Sequence, residues 1–159
     1  MINQLQSQLL TATSSTFEEL GFVFPETELT ECQADAPLTW RAQVSFHGPL
    51  GGSLEIRVSE DVVDELATNM LGLTEDVHPR VKVDALGEIA NVICGNVVPA
   101  LGSPEDVFDL DAPVVTSIAG GAFVAPSIDA AVHLQLGIDA GRAELWVVLH
   151  EDAGVEVTR

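Results

Sequence analysis

The sequence predicts an α+β fold in which long helices pack on a largely antiparallel β-sheet. Apolar residues recur at three- and four-residue steps over residues 83–102, which predicts a helix with one buried stripe. Apolar and polar residues alternate over residues 38–46 and again over 132–138, which predicts half-buried strands. The order of these elements, a helix, a hairpin, two helices and then strands, favours α+β over a parallel α/β arrangement.

The first third of the chain predicts one helix and one hairpin. Residues 2–20 carry an apolar stripe, and Gly21 is placed as the C-terminal stop of that helix. Residues 25–37 are polar and acidic, so we expect a loop there, with at most a short strand. Residues 38–46 and 52–58 are joined by a segment rich in turn-forming residues, which predicts a β-hairpin.

Two helices are expected next. Ser59 followed by two acidic residues predicts a capped helix start, and Gly72 closes that helix. Pro99 lies late in the helix predicted over 83–102 and would remove the hydrogen bond to the Gly95 carbonyl. We therefore expect this helix to kink or end near the proline.

The last third of the chain predicts strands. Residues 107–118 contain two short apolar runs. Residues 143–149 are predicted to form a strand that pairs with the alternating strand at 132–138. Between the last two strands, Gly141 is placed to take the left-handed conformation of a three-residue hairpin loop. Without a linker or repeat to divide it, the sequence predicts a single domain, residues 1–159.

Composition predicts a compact protein of the cytoplasm. Apolar residues make up 47% of the chain and charged residues 19%, as in folded globular proteins. We expect no signal peptide or membrane span, because no basic start and no long apolar run is present. Cys32 and Cys94 lack C-x-x-C spacing, so we expect free thiols.

The charge balance excludes two classes of partner. The chain has 25 acidic residues against six Lys and Arg, a formal net charge of −19. Such a protein repels nucleic acid and anionic membranes, so we expect neither as a partner. Scattered acids with a single lysine are also consistent with adaptation to salty solvent, where screening weakens self-repulsion.

The common motifs for metal, nucleotide and nucleophile chemistry are missing from the sequence. The four histidines have no metal-binding spacing. Asp106, Asp109 and Asp111 lack the glycine and the closing glutamate of a calcium loop. No glycine-rich segment continues as G-K-[ST], and no G-x-S-x-G surrounds a serine. We therefore expect no metal site and no cofactor held by this chain.

A candidate site lies on the helix predicted over 83–102. At about 100° per residue, Asp84, Glu88, Asn91 and Gly95 share one face of this helix. Glu88 and Asn91 are three residues apart, so their side chains emerge side by side. Gly95 leaves bare backbone that another surface could approach. Asn96 points about a quarter turn away, and we expect it to be structural.

E-x-x-N alone is a weak signal, and its alternative explanation is an exposed Glu and Asn on an ordinary helix surface. The surrounding sequence is more specific. The segment A-L-G-E-I-A-N-V-I-C-G-N, residues 85–96, resembles the signature helix of the CheC/CheX/FliY family of chemotaxis phosphatases. The resemblance extends to G-G-S-L-E-I-R-V-S-E-D at 51–61 and to D-L-D-A-P-V-V-T-S-I at 109–118. No Asn stands three residues after Glu18 or Glu19, so a single motif is present, as in the CheX branch.

The resemblance implies a CheC-like fold, a homodimer formed through the sheets, and hydrolysis of the aspartyl phosphate on a response-regulator receiver domain such as CheY. It implies that Asn91 orients the attacking water and that Glu88 pairs with the receiver's lysine. Asp84, as rim charge, and Gly95, as open space, would contact the partner. The Mg²⁺ would belong to the phosphorylated receiver, and Arg80 and Lys82 would offset some of the acidity nearby.

Two alternatives to catalysis stay open at this point. The chain could be a non-catalytic CheC-like module that docks on a receiver or on a flagellar-switch protein. It could also be an acidic domain of the halophile type in which the motif is accidental.

Overall fold

The computed structural model describes residues 2–72, 77–118 and 130–150. These residues form helices and strands in the following order: α1 (Ile2–Gly21), α2 (Glu31–Asp35), β1 (Leu38–His47), β2 (Gly51–Ser59), α3 (Glu60–Leu71), α4 (Pro79–Val97), a 3₁₀ turn (Val98–Leu101), β3 (Asp109–Leu110), β4 (Val114–Ser117), β5 (Val132–Ile138) and β6 (Gly141–His150). The α+β prediction is confirmed.

The strands form one antiparallel sheet. Its order is β3-β1-β2-β6-β5, and β4 also pairs with β1. Leu110 of β3 pairs with Phe46, whereas Val114 of β4 pairs with Gln43. The two short strands therefore lie one after the other along the outer edge of β1, where they bring residues 109–117 close to α4.

The core lies between one face of this sheet and the three long helices. Helices α1, α3 and α4 all contact one another, and each also contacts the sheet. Alternate strand residues such as Val44 and Ile56 are fully buried beneath them, together with Phe17 of α1 and Leu66 of α3. This alternation sends polar residues to the other face of the sheet, where Glu55 pairs with arginines at 41 and 57.

Most predicted elements are confirmed, including both hairpins and the two central helices. Helix α3 ends at Leu71, and Gly72 follows it with a left-handed φ of 67°. Helix α4 ends at Val97, and the chain tightens into the 3₁₀ turn that contains Pro99. A proline lacks the N–H that would continue the α-helix, which explains the change.

One prediction about a glycine is confirmed and another is wrong. Helix α1 ends at Gly21, as predicted, and Phe22 (φ 54°) takes the left-handed conformation after it. In the last hairpin, Asp139 (φ 52°) rather than Gly141 takes the left-handed conformation. A Cβ on Gly21 would overlap Leu66 of α3, and one on Gly141 would overlap the Ser59 hydroxyl. Both glycines are therefore needed where neighbouring elements approach closely.

Two helix starts also differ from expectation. Residues 31–35 form helix α2 instead of a loop or strand, because Thr30 and Gln33 make a capping box: the Thr30 hydroxyl accepts from the Gln33 N–H (3.1 Å) and Gln33 Oε1 accepts from the Thr30 N–H (2.8 Å). Ser59 precedes α3 without capping it. Its hydroxyl donates to Asp61 Oδ1 (2.9 Å) and accepts from the Arg142 N–H (3.0 Å).

Three further findings concern the cysteines, membrane-spanning helices and metal-binding groups. Both cysteines are free thiols, with Cys32 exposed and Cys94 buried. Among the described residues, no helix is long and apolar enough to cross a membrane. The same residues contain no group of three or more His, Cys, Asp or Glu side chains arranged to hold a metal ion.

Candidate functional site

Helix α4 presents the candidate residues because its opposite face is anchored in the core. The helix begins at Pro79, and the His78 ring accepts a hydrogen bond from the Arg80 N–H (3.1 Å) as its N-cap. Leu86, Ile89 and Ile93 are fully buried, so the rotation of the helix about its own axis is fixed. Residues about half a turn away must therefore face outward.

Glu88 and Asn91 project from that outward face into one open groove. The groove has a volume of about 440 Å³, and its walls are α4 on one side and the segment from Leu110 to Val115 on the other. Glu88 is exposed and Asn91 is half-buried. Within the described chain, neither side chain hydrogen-bonds another residue. A carboxylate and a carboxamide thus stand side by side with their polar atoms unused.

The groove is narrow because α4 has a glycine where the facing segment approaches. Gly87 is buried, and a Cβ placed on it would lie 3.4 Å from Pro113 Cγ and 3.5 Å from Val115 Cγ2. A larger side chain would push the segment away from the helix. Gly87 therefore allows the wall to approach the turn that carries Glu88 and Asn91.

Asp84 and Gly95, the first and last residues of the predicted face, line two different grooves. Asp84 is exposed and lines the groove with Glu88 and Asn91. Gly95 is exposed too, but lines a second groove of about 660 Å³, which adjoins the first at Leu110. A Cβ on Gly95 would meet nothing within 4 Å, so the open surface expected there is present.

Asn96 stands outside both grooves. Its side chain is exposed, and its backbone carbonyl accepts a hydrogen bond from Gln8 Nε2 of α1 (3.0 Å). That contact ties the end of α4 to the first helix and makes no use of the Asn96 carboxamide. Asn96 is therefore a matched comparison for Asn91 on the same helix.

The groove is strongly acidic. Asp84, Glu88 and Asp111 line it, and no Lys or Arg among the described residues does so. At Asp111, the Oδ2 atom lies 3.0 Å from Nε2 of His47. Local charge near Glu88 is thus negative, like the charge of the whole chain.

Lys82 does not offset this acidity, contrary to the expectation from sequence. Its side chain is only 14% exposed and points toward α3, where Nζ bonds Glu60 and lies 2.9 Å from Asp64 Oδ1. Burial alone would lower the pKa of Lys82, but the hydrogen bonds and charges of Glu60 and Asp64 outweigh it and raise the pKa. The lysine therefore holds α4 against α3 as a cation.

The comparisons with known proteins identify the family. The family model described as "Chemotaxis phosphatase CheX" matches residues 41–136, which is more than half of the chain. The chain belongs to the CheX family. The matched region contains most of β1 and all of β2, α3 and α4, and hence all four candidate residues.

Solved structures of CheX proteins share this fold. A CheX from Vibrio vulnificus is 19% identical with a TM-score of 0.75, over 92% of this chain and 96% of that one. A CheX from Desulfovibrio desulfuricans is 18% identical with a TM-score of 0.74, over 92% and 99%. The CheX–CheY–BeF₃–Mg²⁺ complex from Borrelia burgdorferi matches at 18% identity with a TM-score of 0.68, over 91% and 97%. No curated protein matches the sequence.

The sequence predicts the side of the groove that α4 forms, but not the facing side. The facing wall from Leu110 to Val115, including Asp111, was predicted only as part of a strand region. The sequence does carry a signal, since D-L-D-A-P-V-V belongs to the segment that resembles the family. Its contact with α4 depends on pairing with β1, which spacing along the chain does not reveal.

Proposed function

We propose that this chain hydrolyses the aspartyl phosphate of a response-regulator receiver domain. The observation that carries the proposal is the presentation of Glu88 and Asn91 together, outward, in one groove and without partners in the described chain. An acyl phosphate is already reactive, and phosphoryl transfer through a loose transition state needs mainly positioning and charge stabilisation. Two well-placed polar side chains can supply the positioning.

In this proposal Asn91 orients the attacking water. A carboxamide is not a base, but its oxygen and its N–H₂ group can hydrogen-bond one water molecule and hold it in line with phosphorus. The water oxygen forms the new bond to phosphorus. The electron pair of the breaking P–O bond goes to the receiver's aspartate, and the water proton leaves with inorganic phosphate.

Glu88 fixes the position of the docked helix. Its carboxylate is exposed one turn before Asn91, where it can pair with the lysine of a receiver active site. Asp84 at the rim and the open backbone at Gly95 would contact the surrounding surface of the receiver. The Mg²⁺ in this reaction is held by the receiver, and this chain contributes no cofactor.

The comparisons support the proposal at the level of the family. The family is named for chemotaxis phosphatases, and a structure of the same fold from Borrelia burgdorferi is a complex of a CheX with CheY. A receiver substrate would also place the protein in the cytoplasm.

Phosphate release from phosphorylated receivers, with and without this protein, tests the proposal. Acceleration by catalytic amounts of the protein is the expected result. If a receiver binds but its phosphate lifetime stays unchanged, the chain is a non-catalytic docking module instead. If no receiver binds in its phosphorylated form, neither reading holds.

We also propose that the chain forms a homodimer through its sheet. Strand β5 lies at the edge of the sheet, where Gly137 pairs with Glu26 and the His133 carbonyl accepts a hydrogen bond from Gln6 Nε2 (3.3 Å). The remaining N–H and C=O groups of that edge can pair with the same strand of a second copy. Sedimentation velocity should then show a species of twice the monomer mass, whereas a monomer at all concentrations contradicts the proposal.

A further inference from the structure

Two phenylalanines stand exposed just after helix α1. Phe22 is 64% exposed and Phe24 is 72% exposed, while Val23 between them is buried at 2%. By contrast, Phe17 and Phe46 are fully buried in the core. Two adjacent exposed aromatic rings exceed what a folded surface usually shows by chance, because exposed apolar residues are normally scattered singly.

Phe22 also has an unfavourable backbone conformation. Its φ of 54° lies in the left-handed region, which is a genuine outlier for a bulky residue. Glycine or asparagine would satisfy this position without strain. Packing in its own chain offsets little of this strain, since most of the ring faces solvent. Strain of this kind persists mainly at functional positions.

The backbone that carries the two rings is held in place on both sides. The Val23 N–H donates to the Phe17 carbonyl (3.1 Å), and Glu26 exchanges two hydrogen bonds of 2.8 Å with Gly137 of β5. Asn69 Nδ2 of α3 donates to the Gly21 carbonyl (2.7 Å), which brings the end of α3 to the same corner. The apolar groups are therefore preordered for contact.

The charge around this corner selects the class of partner. The sequence has no Lys, Arg or His before Arg41, and Glu18, Glu19, Glu26 and Glu28 are all exposed. A second copy of this corner would bring like charges together, and an anionic membrane would be repelled. A cationic partner would gain both from the acids and from the apolar groups.

We propose that Phe22 and Phe24 form a docking surface for a basic protein segment that carries apolar side chains. Neither of these residues lines either groove beside α4. The inference is independent of the phosphatase proposal, because it concerns a different surface. Apolar anchors at the centre and charges at the rim are the usual division of labour in such interfaces.

The probe is a synthetic amphipathic peptide of lysine and leucine, labelled for fluorescence anisotropy. The test variant is Phe22→Gly/Phe24→Ser, and the control is Val107→Ser, which removes a 74% exposed apolar side chain elsewhere. Losing a buried ring should weaken binding about tenfold for each phenylalanine. The control should bind like wild type, and a lysine–serine peptide should bind more weakly than the lysine–leucine peptide.

The variant itself separates docking from folding. Phe22→Gly relieves the left-handed strain, so its unfolding midpoint should rise while binding falls. Equal binding by wild type and variant would mean only general attraction to an acidic protein, and would overturn the proposal. Failure of wild type to bind the peptide would also overturn it. So would loss of self-association in the variant, since a second copy would then occupy the surface.

Discussion

Gly87 lies against Pro113, and this contact sets the width of the candidate groove. The Cβ that Gly87 lacks would stand 3.4 Å from Pro113 Cγ. Helix α4 and the segment from Leu110 to Val115 therefore leave room beside Gly87 for about one methyl group. The groove that holds Glu88 and Asn91 depends on this approach.

Two substitutions of Gly87 should differ in stability, because alanine fits beside Pro113 and valine does not. Gly87→Ala adds one methyl group at near-contact distance, and its crowding is offset by a gain in helix propensity of about 1 kcal/mol. Gly87→Val adds two more methyl groups against Pro113 and Val115, so the free energy of unfolding should fall by about 1–3 kcal/mol. Urea unfolding of both variants measures the difference. A valine variant as stable as wild type would contradict the close approach.

Gly95 offers a different test, because the space beside it is empty. Gly95→Ala should raise the free energy of unfolding by up to about 1 kcal/mol, since helix propensity improves and nothing is crowded. Gly95→Leu should fold as well but obstruct a docked receiver. We expect its KM for the phosphorylated receiver to rise several-fold with kcat retained. An unchanged KM would remove Gly95 from the contact surface.

Glu65 predicts a pH dependence of stability away from the site. A hydrogen bond that the protonated Glu65 carboxyl donates to Asp139, together with burial and the charges of Asp139 and Asp61, raises the pKa of Glu65 to about 7 from an ordinary 4.5. The folded state therefore keeps a proton that the unfolded chain loses, so stability falls as pH rises from 4.5 to 7. Because Glu65 is partly exposed, solvent screening reduces the effect to roughly 1 kcal/mol.

Glu65→Gln tests this directly, because a neutral amide can replace the protonated carboxyl beside Asp139. The variant should be more stable than wild type at pH 7.5 and equal to it near pH 4.5. Thermal unfolding across this range measures both. A wild-type profile that stays flat between the two pH values would contradict the shared proton.

The acidic groove predicts a salt dependence of association. Asp84, Glu88 and Asp111 would face a receiver pocket that is itself acidic, and the whole chain carries −19. Screening of this long-range repulsion should raise kcat/KM between about 10 mM and 100 mM salt, as the Debye length falls from about 30 to 10 Å. A steady fall in kcat/KM over that range of salt would indicate that the protein and the receiver attract each other, and would contradict the prediction.

The sequence was sufficient for the helical half of the site, because that half is local. Glu88 and Asn91 share a face by helix geometry alone, and the buried positions of Leu86 and Ile89 decide which face points outward. The wall at Leu110–Val115 is not local. It reaches α4 only because β3 and β4 pair with β1, more than sixty residues earlier in the chain.

The role of a glycine is hard to predict from sequence, and this explains one wrong prediction about the fold. Gly141 was predicted to take the left-handed conformation of the last hairpin, yet Asp139 takes it. A glycine in a sequence signals either a positive φ or a close neighbour, and only the tertiary structure decides between them. Helix α2, by contrast, could have been predicted from the T-x-x-Q spacing of its capping box.

The most direct measurement compares Asn91→Ala with Asn96→Ala in single-turnover dephosphorylation of a phosphorylated receiver. Both variants remove a carboxamide from the outer side of α4, so both should fold alike. Asn91→Ala should lose about 100-fold or more in rate, because no group then orients the water, while Asn96→Ala should match wild type. Equal rates for the two variants would contradict the assignment of Asn91 as the residue that positions the water.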